Sequence, residues 1–248
     1  METPIKYVHQ ENTHNYIAPK QVVPKLMELL EPKSVVDVGC GTGTWLKIFQ
    51  ELGVLDILGI DGHFVDQNIL KIEKKFFHPA DLEKEVKINR KFDLAISLEV
   101  AEHIKFESSD LFIKSLVDLS DTIVFSAAIS HQGGQNHINE QNPEFWIQKF
   151  NLQGYQLFDV LRPIFWNDEK VDFWYKQNML IFTKNSKIEL KLKNLNSFEG
   201  NCLVHPIGFV DRTNLFNYQK RENTAIKTGK KELLFYLKLF YKYFKSKF

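Results

Sequence analysis

The feature that most constrains the fold is an apolar run that ends in three closely spaced glycines. Residues 34–43 read SVVDVGCGTG and continue directly into the helical pattern TWLKIF. The β-branched valines favour a buried strand, and glycines let the backbone turn tightly and approach a ligand without a Cβ atom. A helix that begins after such a loop presents backbone N–H groups to a ligand. The stretch therefore predicts a cofactor pocket at the end of a strand.

The spacing of the glycines narrows the class of cofactor. Gly39, Gly41 and Gly43 form G-x-G-x-G, whereas a dinucleotide-binding loop has G-x-G-x-x-G, and Thr44 occupies the place of its last glycine. An acid, Asp37, also lies two residues before the first glycine. The stretch resembles motif I of the class I S-adenosylmethionine-dependent methyltransferases. The alternatives are an ordinary glycine turn and a dehydrogenase, and Thr44 and Asp37 argue against the second.

Two acids follow at the ends of later predicted strands. Residues 57–60, ILGI, predict a second strand that ends at Asp61, where a carboxylate can accept hydrogen bonds from both ribose hydroxyls of an adenosine. The family resemblance implies the same role for Asp61. It also implies that Asp81, after a third strand within residues 76–82, lies beside the adenine amino group and that Leu82 offers its N–H to the ring. The alternative for Asp81 is a helix cap.

A second block supports the same family. The predicted fourth strand, residues 92–98, runs into EVAEHI, which resembles the motif after strand four in these methyltransferases. The resemblance implies S-adenosylmethionine as cofactor and S-adenosylhomocysteine as product. The cofactor-binding residues that it implies are Asp37, Gly39, Gly41, Gly43, Trp45, Asp61, Gly62, Asp81, Leu82, Leu98 and Glu99.

The alternation of strand and helix patterns predicts an α/β fold with a mostly parallel sheet and helices on both faces. The family resemblance implies a Rossmann-like, seven-stranded sheet whose last strand is antiparallel. We predict an N-terminal segment over residues 1–32, a methyltransferase domain over residues 33–185 and a C-terminal extension over residues 186–248. His9, His14 and Tyr16 in the first segment either fold over the cofactor as a lid or are simply solvated. In the extension, residues 187–193 alternate as a half-exposed strand would.

Residues 122–128 are the predicted fifth strand. We expect the loop after this strand to contain the residues that act on the methyl acceptor. Residues 130–141, SHQGGQNHINEQ, are rich in groups that hydrogen-bond and titrate, and loops after strands four and five face the ligand in such a sheet. Methyl transfer to a hydroxyl requires positioning and removal of a proton, for which histidine is suited. We predict His137 or His131 as the base, with Glu140 in the catalytic group. The predicted acceptor contacts are His103, Gln132, Asn139, Gln141 and Tyr175.

The acceptor itself stays open. The loop resembles the Gly-Gly-x-x-His-x-Asn-Glu-Gln pattern of uncharacterised bacterial methyltransferases, and this resemblance does not fix the acceptor. We predict O-methylation of a small acceptor. Sugars, nucleotide sugars and capsule phosphate or phosphoramidate precursors of polysaccharide biosynthesis are the first expectation. Metal binding is a competing use of His103, His131, His137 and Glu140, but their spacing matches no metal motif, so we predict no metal site. The alternative function is a non-catalytic subunit that binds S-adenosylmethionine and docks on a biosynthetic complex.

Composition excludes some classes of partner. Lys and Arg total 32 against 31 Asp and Glu, a formal charge of +1, which argues against a nucleic-acid partner. Cys40 and Cys202 form no disulfide framework, and the N-terminus lacks a signal peptide, so we predict a cytoplasmic protein. Residues 230–245 predict an amphipathic helix with Lys231, Lys238, Lys242 and Lys245 on one face. It packs on its own domain or on a second copy in a homodimer, or contacts a membrane surface or a partner protein.

Overall fold

The computed structural model describes residues 15–198 and 200–245, so His9 and His14 of the predicted lid lie outside the described residues. The chain divides into two compact units, Met1–His205 and Pro206–Phe248. Helix α7 and the loop after it therefore belong to the first unit. The segment boundaries that we predict after residues 32 and 185 stay predictions.

The first unit is built on a seven-stranded sheet of order β3-β2-β1-β4-β5-β7-β6. Strand β7 runs antiparallel to both of its neighbours, and the other pairs are parallel. This confirms the predicted fold class, including the reversed last strand. The strands are β1 Ser34–Val38, β2 Asp56–Asp61, β3 Phe77–Pro79, β4 Leu94–Leu98, β5 Thr122–Ser126, β6 Gln156–Phe158 and β7 Leu180–Thr183.

Helices cover both faces of this sheet. Because side chains alternate along a strand, Val35 packs into a core on one face and Val36 into a second core on the other. Helices α1 and α2 contribute to the first core, and α3 and α4 to the second. The helices of this unit are α1 Ile17–Leu30, α2 Thr44–Glu51, α3 Ser109–Leu119, α4 Pro143–Leu152, α5 Leu161–Phe165, α6 Phe173–Asn178 and α7 Ser186–Leu192.

The prediction of a strand over residues 187–193 is wrong, because this segment forms helix α7. The side chain of Asn185 accepts a hydrogen bond from the Lys187 N–H at 3.1 Å and so caps the helix N-terminus. Ile188 and Leu192 are four residues apart, so they share one helix face and pack against the first core. The alternating residues of this run fit a strand and a helix equally well, and the cap favours the helix.

The second unit contains helices α8, Pro206–Lys227, and α9, Leu233–Lys245. Lys231 precedes α9 and pairs with Glu222 of α8 at 2.8 Å, so it does not share a helix face with the later lysines. The hydroxyl of Tyr236 donates to the carbonyl of Ile226 at 3.0 Å and ties the two helices together. Among the described helices, none has both the length and the apolar character needed to cross a bilayer. The role predicted for the terminal helix stays a prediction.

Gly39 is the position in the glycine loop where any side chain would meet a rigid neighbour. Its φ is +87°, and a Cβ would lie 2.3 Å from Cγ2 of Val100. Gly53 has a similar φ of +96°, but nothing lies within 4 Å of its Cβ position. We expect Gly53→Ala to lower the free energy of unfolding by about 1 kcal/mol, the cost of a left-handed backbone conformation.

Gly39→Ala adds overpacking to that backbone cost, so we expect a total loss of about 2–4 kcal/mol. Urea denaturation of the two variants beside the wild type measures both values. Equal losses would mean that Val100 yields, and that the loop does not depend on this close approach.

Candidate active site

A cavity of 1210 Å³ lies at the carboxyl ends of the central parallel strands. Its walls come from the glycine loop, the ends of β2 and β4, the loops after β3 and β5, and helix α6. Ligand pockets typically measure about 300–1,000 Å³, so this cavity has room for a cofactor together with a second molecule. The predicted site residues that line it are Asp37, Gly39, Gly41, Trp45, Asp61, Gly62, Asp81, Leu82, Leu98, Glu99, His103, Gln132, His137 and Tyr175.

The carboxylate of Asp61 holds the loops after β1 and β2 together. Its Oδ2 accepts a hydrogen bond from the Gly41 N–H at 2.6 Å, and its Oδ1 accepts one from the Gly62 N–H at 2.6 Å. Burial raises the pKa of Asp61, and these two N–H groups oppose that shift. A carboxylate has about four lone-pair positions, so Asp61 keeps capacity to accept from ligand hydroxyls in the cavity.

Asp37 is an acid without a full set of partners. It is 2% exposed, and its Oδ2 has no hydrogen-bond partner among the described residues. Burial, followed by repulsion from Asp61, raises the pKa of Asp37 well above the ordinary range. Burying a carboxylate without a partner is costly, so a cationic ligand group beside Asp37 would be stabilised.

The two residues assigned to the adenine differ in burial. Leu82 is buried, whereas Asp81 is exposed, and its Oδ1 accepts from the Glu83 N–H at 3.1 Å. Asp81 also forms an ion pair with Lys84 at 3.0 Å. These contacts stabilise a turn over residues 81–84, so the alternative of a helix cap is wrong. Both residues line the cavity.

Glu99 is fixed by amide side chains at the middle of the cavity wall. Its Oε1 accepts from Asn178 at 3.0 Å and its Oε2 from Gln132 at 3.3 Å, while its φ of 56° is unusual for a residue other than glycine. The amide oxygen of Gln132 in turn accepts from Asn178 and from Gln177, at 2.9 and 3.0 Å. Gln132 therefore braces Glu99 as well as facing the cavity.

Three titratable side chains meet at the other end of the cavity. The rings of His103 and His137 have centroids 5.0 Å apart, and Nε2 of His137 lies 4.0 Å from Oε1 of Glu102. His103 contacts the Asn136 carbonyl oxygen through Nδ1 at 3.2 Å, and burial lowers the pKa of His103 to about 4. Its ring is therefore neutral at pH 7. Of the two loop histidines, His137 lies beside His103 in the cavity wall and His131 does not.

The orientation of His137 is set by Glu140. Nδ1 of His137 lies 2.8 Å from Oε1 of Glu140, which also accepts from the Gly133 N–H at 2.5 Å. A Cβ on Gly134 would lie 2.1 Å from Nε2 of His137, so the ring occupies space that a side chain at position 134 would need. Glu140 does not itself line the cavity. It acts as a support behind His137.

The backbone of Glu102 anchors the loop that carries His137. Its carbonyl oxygen accepts from the N–H groups of Ile138 and Asn139, at 2.9 and 3.0 Å. The amide of Asn139 donates to Ser109 Oγ at 3.0 Å, and Gln141 donates to Asn139 Oδ1 at 2.9 Å. Asn139 and Gln141 do not line the cavity, so they hold the loop in place where we expected acceptor contacts.

Two further predicted residues lie off the cavity. His131 is exposed, with a φ of 69°, and is absent from the cavity wall. Gly43 lies at the N-cap of α2, where a Cβ would meet Ile72 at 2.9 Å, so it shapes the loop without lining the cavity. Of the two histidines predicted as the base, the geometry favours His137.

An aromatic wall closes the side formed by α6. The rings of Trp45 and Tyr175 meet edge to face with centroids 5.2 Å apart, and Trp174 and Phe173 also line the cavity. Burial raises the pKa of Tyr175, so its hydroxyl stays protonated at neutral pH. Tyr175, which we predicted as an acceptor contact, is therefore part of the cavity wall.

Glu102 is the site residue to which the sequence analysis assigned no role. It is fully buried, and neither carboxylate oxygen has a hydrogen-bond partner within the described part of the chain. Burial, then the charge of Glu99, raises the pKa of Glu102 well above its usual range. The sequence signal that could have identified Glu102 was its position directly before His103. Both residues lie in the short 3-10 helix Ala101–His103 after β4.

Comparison with known proteins gives a family match. A family model described as a methyltransferase domain matches residues 9–159. Ribosomal protein L11 methyltransferase of Thermotoga petrophila is 26% identical over 136 residues, which are 48% of this chain and 50% of that protein. The corresponding protein of Thermotoga neapolitana is 26% identical over 130 residues, or 46% and 47% of the two chains. The chain thus spans about half the length of these curated relatives.

Solved structures share the fold. The methyltransferase domain of bacterial CtHen1-CN aligns with a TM-score of 0.50 at 18% identity, covering 68% of this chain and 100% of that domain. Streptomyces venezuelae DesVI aligns with a TM-score of 0.50 at 13% identity, covering 71% and 99%. Identities this low establish a common fold only.

The burial of Asp37, together with repulsion from Asp61, predicts a pH dependence of stability. An acid whose pKa is raised on folding lowers the stability as the pH rises from its unfolded pKa, about 3.9, towards its folded pKa, and has no such effect below the unfolded value. Asp37→Asn removes this ionisable group. We therefore expect the ligand-free variant to unfold a few degrees higher than the wild type at pH 7, with the difference shrinking towards pH 4.

Thermal unfolding at both pH values measures this difference. Asp211→Asn, at an exposed position of α8, is the control and should shift neither midpoint. A lower midpoint for Asp37→Asn at pH 7 would show that the Asp37 carboxylate is stabilised by partners, contrary to this account.

Proposed function

The chain belongs to the methyltransferase-domain family, and from this premise we propose that it transfers a methyl group from S-adenosylmethionine to an oxygen atom of a small polar acceptor. The family match covers residues 9–159 and agrees with the prediction made from motif I and from the block after strand four. The chemical class of the acceptor is inferred from the residues that line the site, because the family match does not specify it.

The main support for this proposal is a cavity with two chemically different ends. A single cavity joins an acid-and-glycine end, formed by Asp37, Gly41 and Asp61, to a polar end, formed by Glu102, His103 and His137. A methyltransferase needs a donor and an acceptor side by side, because its reaction is an in-line displacement that depends on positioning. A cavity of 1210 Å³ with two chemically different ends suits that requirement.

The residues at the first end fit the cofactor. Oδ2 of Asp37 has no hydrogen-bond partner within residues 15–198 and 200–245 and suits the ammonium group of the methionine part, while Asp61 suits the ribose hydroxyls. The glycine loop admits close approach because Gly39 and Gly41 have no Cβ, with φ values of 87° and 52°. When bound, S-adenosylmethionine supplies a methyl group on a positively charged sulfur, which makes that group an acceptor of electron pairs.

The residues at the second end fit an acceptor hydroxyl. Nδ1 of His137 donates to Glu140, so Nε2 carries the lone pair on the side of the cavity where Glu102 and His103 lie. That lone pair can take the proton that an acceptor hydroxyl loses as its oxygen bonds to the methyl carbon. Glu140 is a positioning residue because it acts through His137.

The acceptor class follows from the lining of this end. The cavity lining includes both polar side chains, such as Gln132 and His103, and the aromatic side chains of Trp174 and Tyr175. A sugar ring presents hydroxyls and an apolar face, which matches such a lining. We therefore propose a sugar, a nucleotide sugar or a phosphate-bearing capsule precursor as the acceptor, methylated in the cytoplasm.

We expect S-adenosylhomocysteine to bind the purified protein and Asp61→Ala to abolish that binding. The variant loses the acceptor for the ribose hydroxyls and releases the N–H groups of Gly41 and Gly62. Asp56→Ala, at the other end of the same strand, is the matched control, because Asp56 contacts Arg90 on the surface at 2.6 Å. Calorimetric titration measures all three affinities. Full affinity in Asp61→Ala would contradict the placement of the cofactor.

We also expect some member of a panel of nucleotide sugars and sugar phosphates to support the formation of S-adenosylhomocysteine. His137→Ala should lower that turnover by roughly 100-fold or more while cofactor binding is kept, because general-base catalysis contributes about that much. Mass spectrometry of the product measures turnover. Tight cofactor binding with no turnover on any member would favour the alternative, a non-catalytic binding subunit.

A further inference from the structure

Three possible metal ligands meet at the polar end of the cavity, and removal of a proton from the acceptor would not require all three. Glu102, His103 and His137 each offer one ligand atom, and these atoms all lie within 4.8 Å of one another. Two ligand atoms of a tetrahedral zinc ion at about 2.1 Å lie roughly 3.4 Å apart. Oε1 of Glu102 and Nε2 of His137 lie 4.0 Å apart, so small side-chain rotations bring them to that spacing.

The carboxylate of Glu102 gives an independent sign that a ligand is expected here. It is fully buried and lines the cavity, yet both of its oxygens lack a hydrogen-bond partner among the residues described. Buried carboxylates in proteins are normally paired, hydrogen-bonded or bound to a metal. A cation in the cavity would supply the missing interaction.

Both histidines are held in the orientation typical of metal ligands. Histidine ligands usually donate their second ring N–H to a carboxylate or a backbone carbonyl. Nδ1 of His137 contacts Glu140 at 2.8 Å, and Nδ1 of His103 contacts the Asn136 carbonyl oxygen at 3.2 Å. Each contact fixes the tautomer in which Nε2 carries the lone pair.

The three residues are also held on a common frame. The 3-10 helix Ala101–His103 carries two of them, and the carbonyl oxygen of the same Glu102 accepts from the N–H groups of Ile138 and Asn139 beside the third. The frame therefore fixes His137 relative to Glu102 before any ion binds. Such preorganisation favours a metal site over a chance cluster.

We propose that Glu102, His103 and His137 bind one divalent transition-metal ion at the acceptor end of the cavity. Two imidazoles and one carboxylate form a ligand set suited to Zn²⁺, Co²⁺ or Fe²⁺, whereas Mg²⁺ favours oxygen ligands. Three protein ligands leave positions open for a substrate oxygen. The set differs from the four residues weighed from the sequence, because His131 is exposed and Glu140 lies behind His137.

The role of the ion rests on the proposed function, although its binding does not. A divalent cation lowers the pKa of a hydroxyl that it contacts, so the acceptor proton is released to water and the lone pair of His137 holds the ion instead of taking that proton. The oxygen then forms its bond to the methyl carbon, and the carbon–sulfur bond breaks with its electron pair left on sulfur. The bonds that form and break in this step involve only atoms of the acceptor and the methyl donor.

The test is a titration of Co²⁺ into the full-length, tag-free, metal-stripped protein with no cofactor present, followed by visible absorption and calorimetry. We expect one ion per chain and the absorption bands of nitrogen- and oxygen-ligated cobalt, with Zn²⁺ displacing the ion. Glu102→Gln, His103→Ala and His137→Ala should each weaken binding by roughly 100-fold or more. Glu102→Gln keeps the shape of the side chain, so circular dichroism should show an unchanged fold.

His78→Ala is the matched control, because His78 is an exposed histidine of β3 outside the cavity wall. It should keep wild-type affinity for Co²⁺. The proposal is overturned if no stoichiometric ion binds, if the three variants bind as tightly as the wild type, or if only Mg²⁺ binds.

Titration of S-adenosylhomocysteine on the same protein separates this proposal from the proposed function. Cofactor binding without metal binding would overturn the metal site alone. Metal binding without cofactor binding would overturn the methyltransferase proposal and leave the metal site standing.

Discussion

The hydrogen bonds from Gly41 and Gly62 to the Asp61 carboxylate are the contacts on which the cavity depends. They join the loops after two neighbouring strands, and the N–H of Gly39 adds a bond to the carbonyl of Ile60 at 2.7 Å. Hydrogen bonds to a charged group are stronger than those between neutral groups, so this clamp compensates part of the cost of burying Asp61. Further backbone hydrogen bonds, from Gly43 to the Cys40 carbonyl and from Lys71 to the Thr42 carbonyl, both at 2.8 Å, complete the path of the glycine loop.

A second acid, Glu102, organises the opposite end of the cavity. Its backbone carbonyl anchors the loop after β5, while both of its carboxylate oxygens are buried without a hydrogen-bond partner among the described residues. At the cofactor end, the Oδ2 atom of Asp37 is in the same condition. Unpaired buried carboxylates lower the stability of the ligand-free protein, and they are stabilised when a cation arrives. The ligand-free protein is therefore less stable than it would be with these carboxylates paired, and ligand binding restores that stability.

Local patterns were sufficient to predict the frame of this site. The valines of β1, the glycine spacing and the acid at the end of β2 are each defined within a few neighbouring residues, and the structure places Asp37, Gly41 and Asp61 together in one cavity. The reversed seventh strand was predicted by resemblance and is confirmed. By contrast, residues 187–193 satisfy two periodicities, and only the Asn185 cap decides between them.

The acceptor end could not be predicted to the same degree, because it depends on the path of a loop. His131 and His137 lie in the same loop, so the sequence did not distinguish them as the base. The structure has a turn at residues 135–136, and of the two histidines only His137 lines the cavity. Asn139 was expected to touch the acceptor, but its amide reaches Ser109 of α3, which is distant in sequence. Glu102 went unassigned for the same reason, since its role appears only when the loop packs against it.

A crystal structure of the protein soaked with S-adenosylhomocysteine would test most directly where the methyl donor binds. We expect the ribose against Asp61, the ammonium group beside Asp37 and the sulfur facing the group of Glu102, His103 and His137. Electron density for the ligand outside this cavity would contradict the central claim that one cavity holds the methyl donor and the acceptor together. So would a pose in which the sulfur faces away from those three residues.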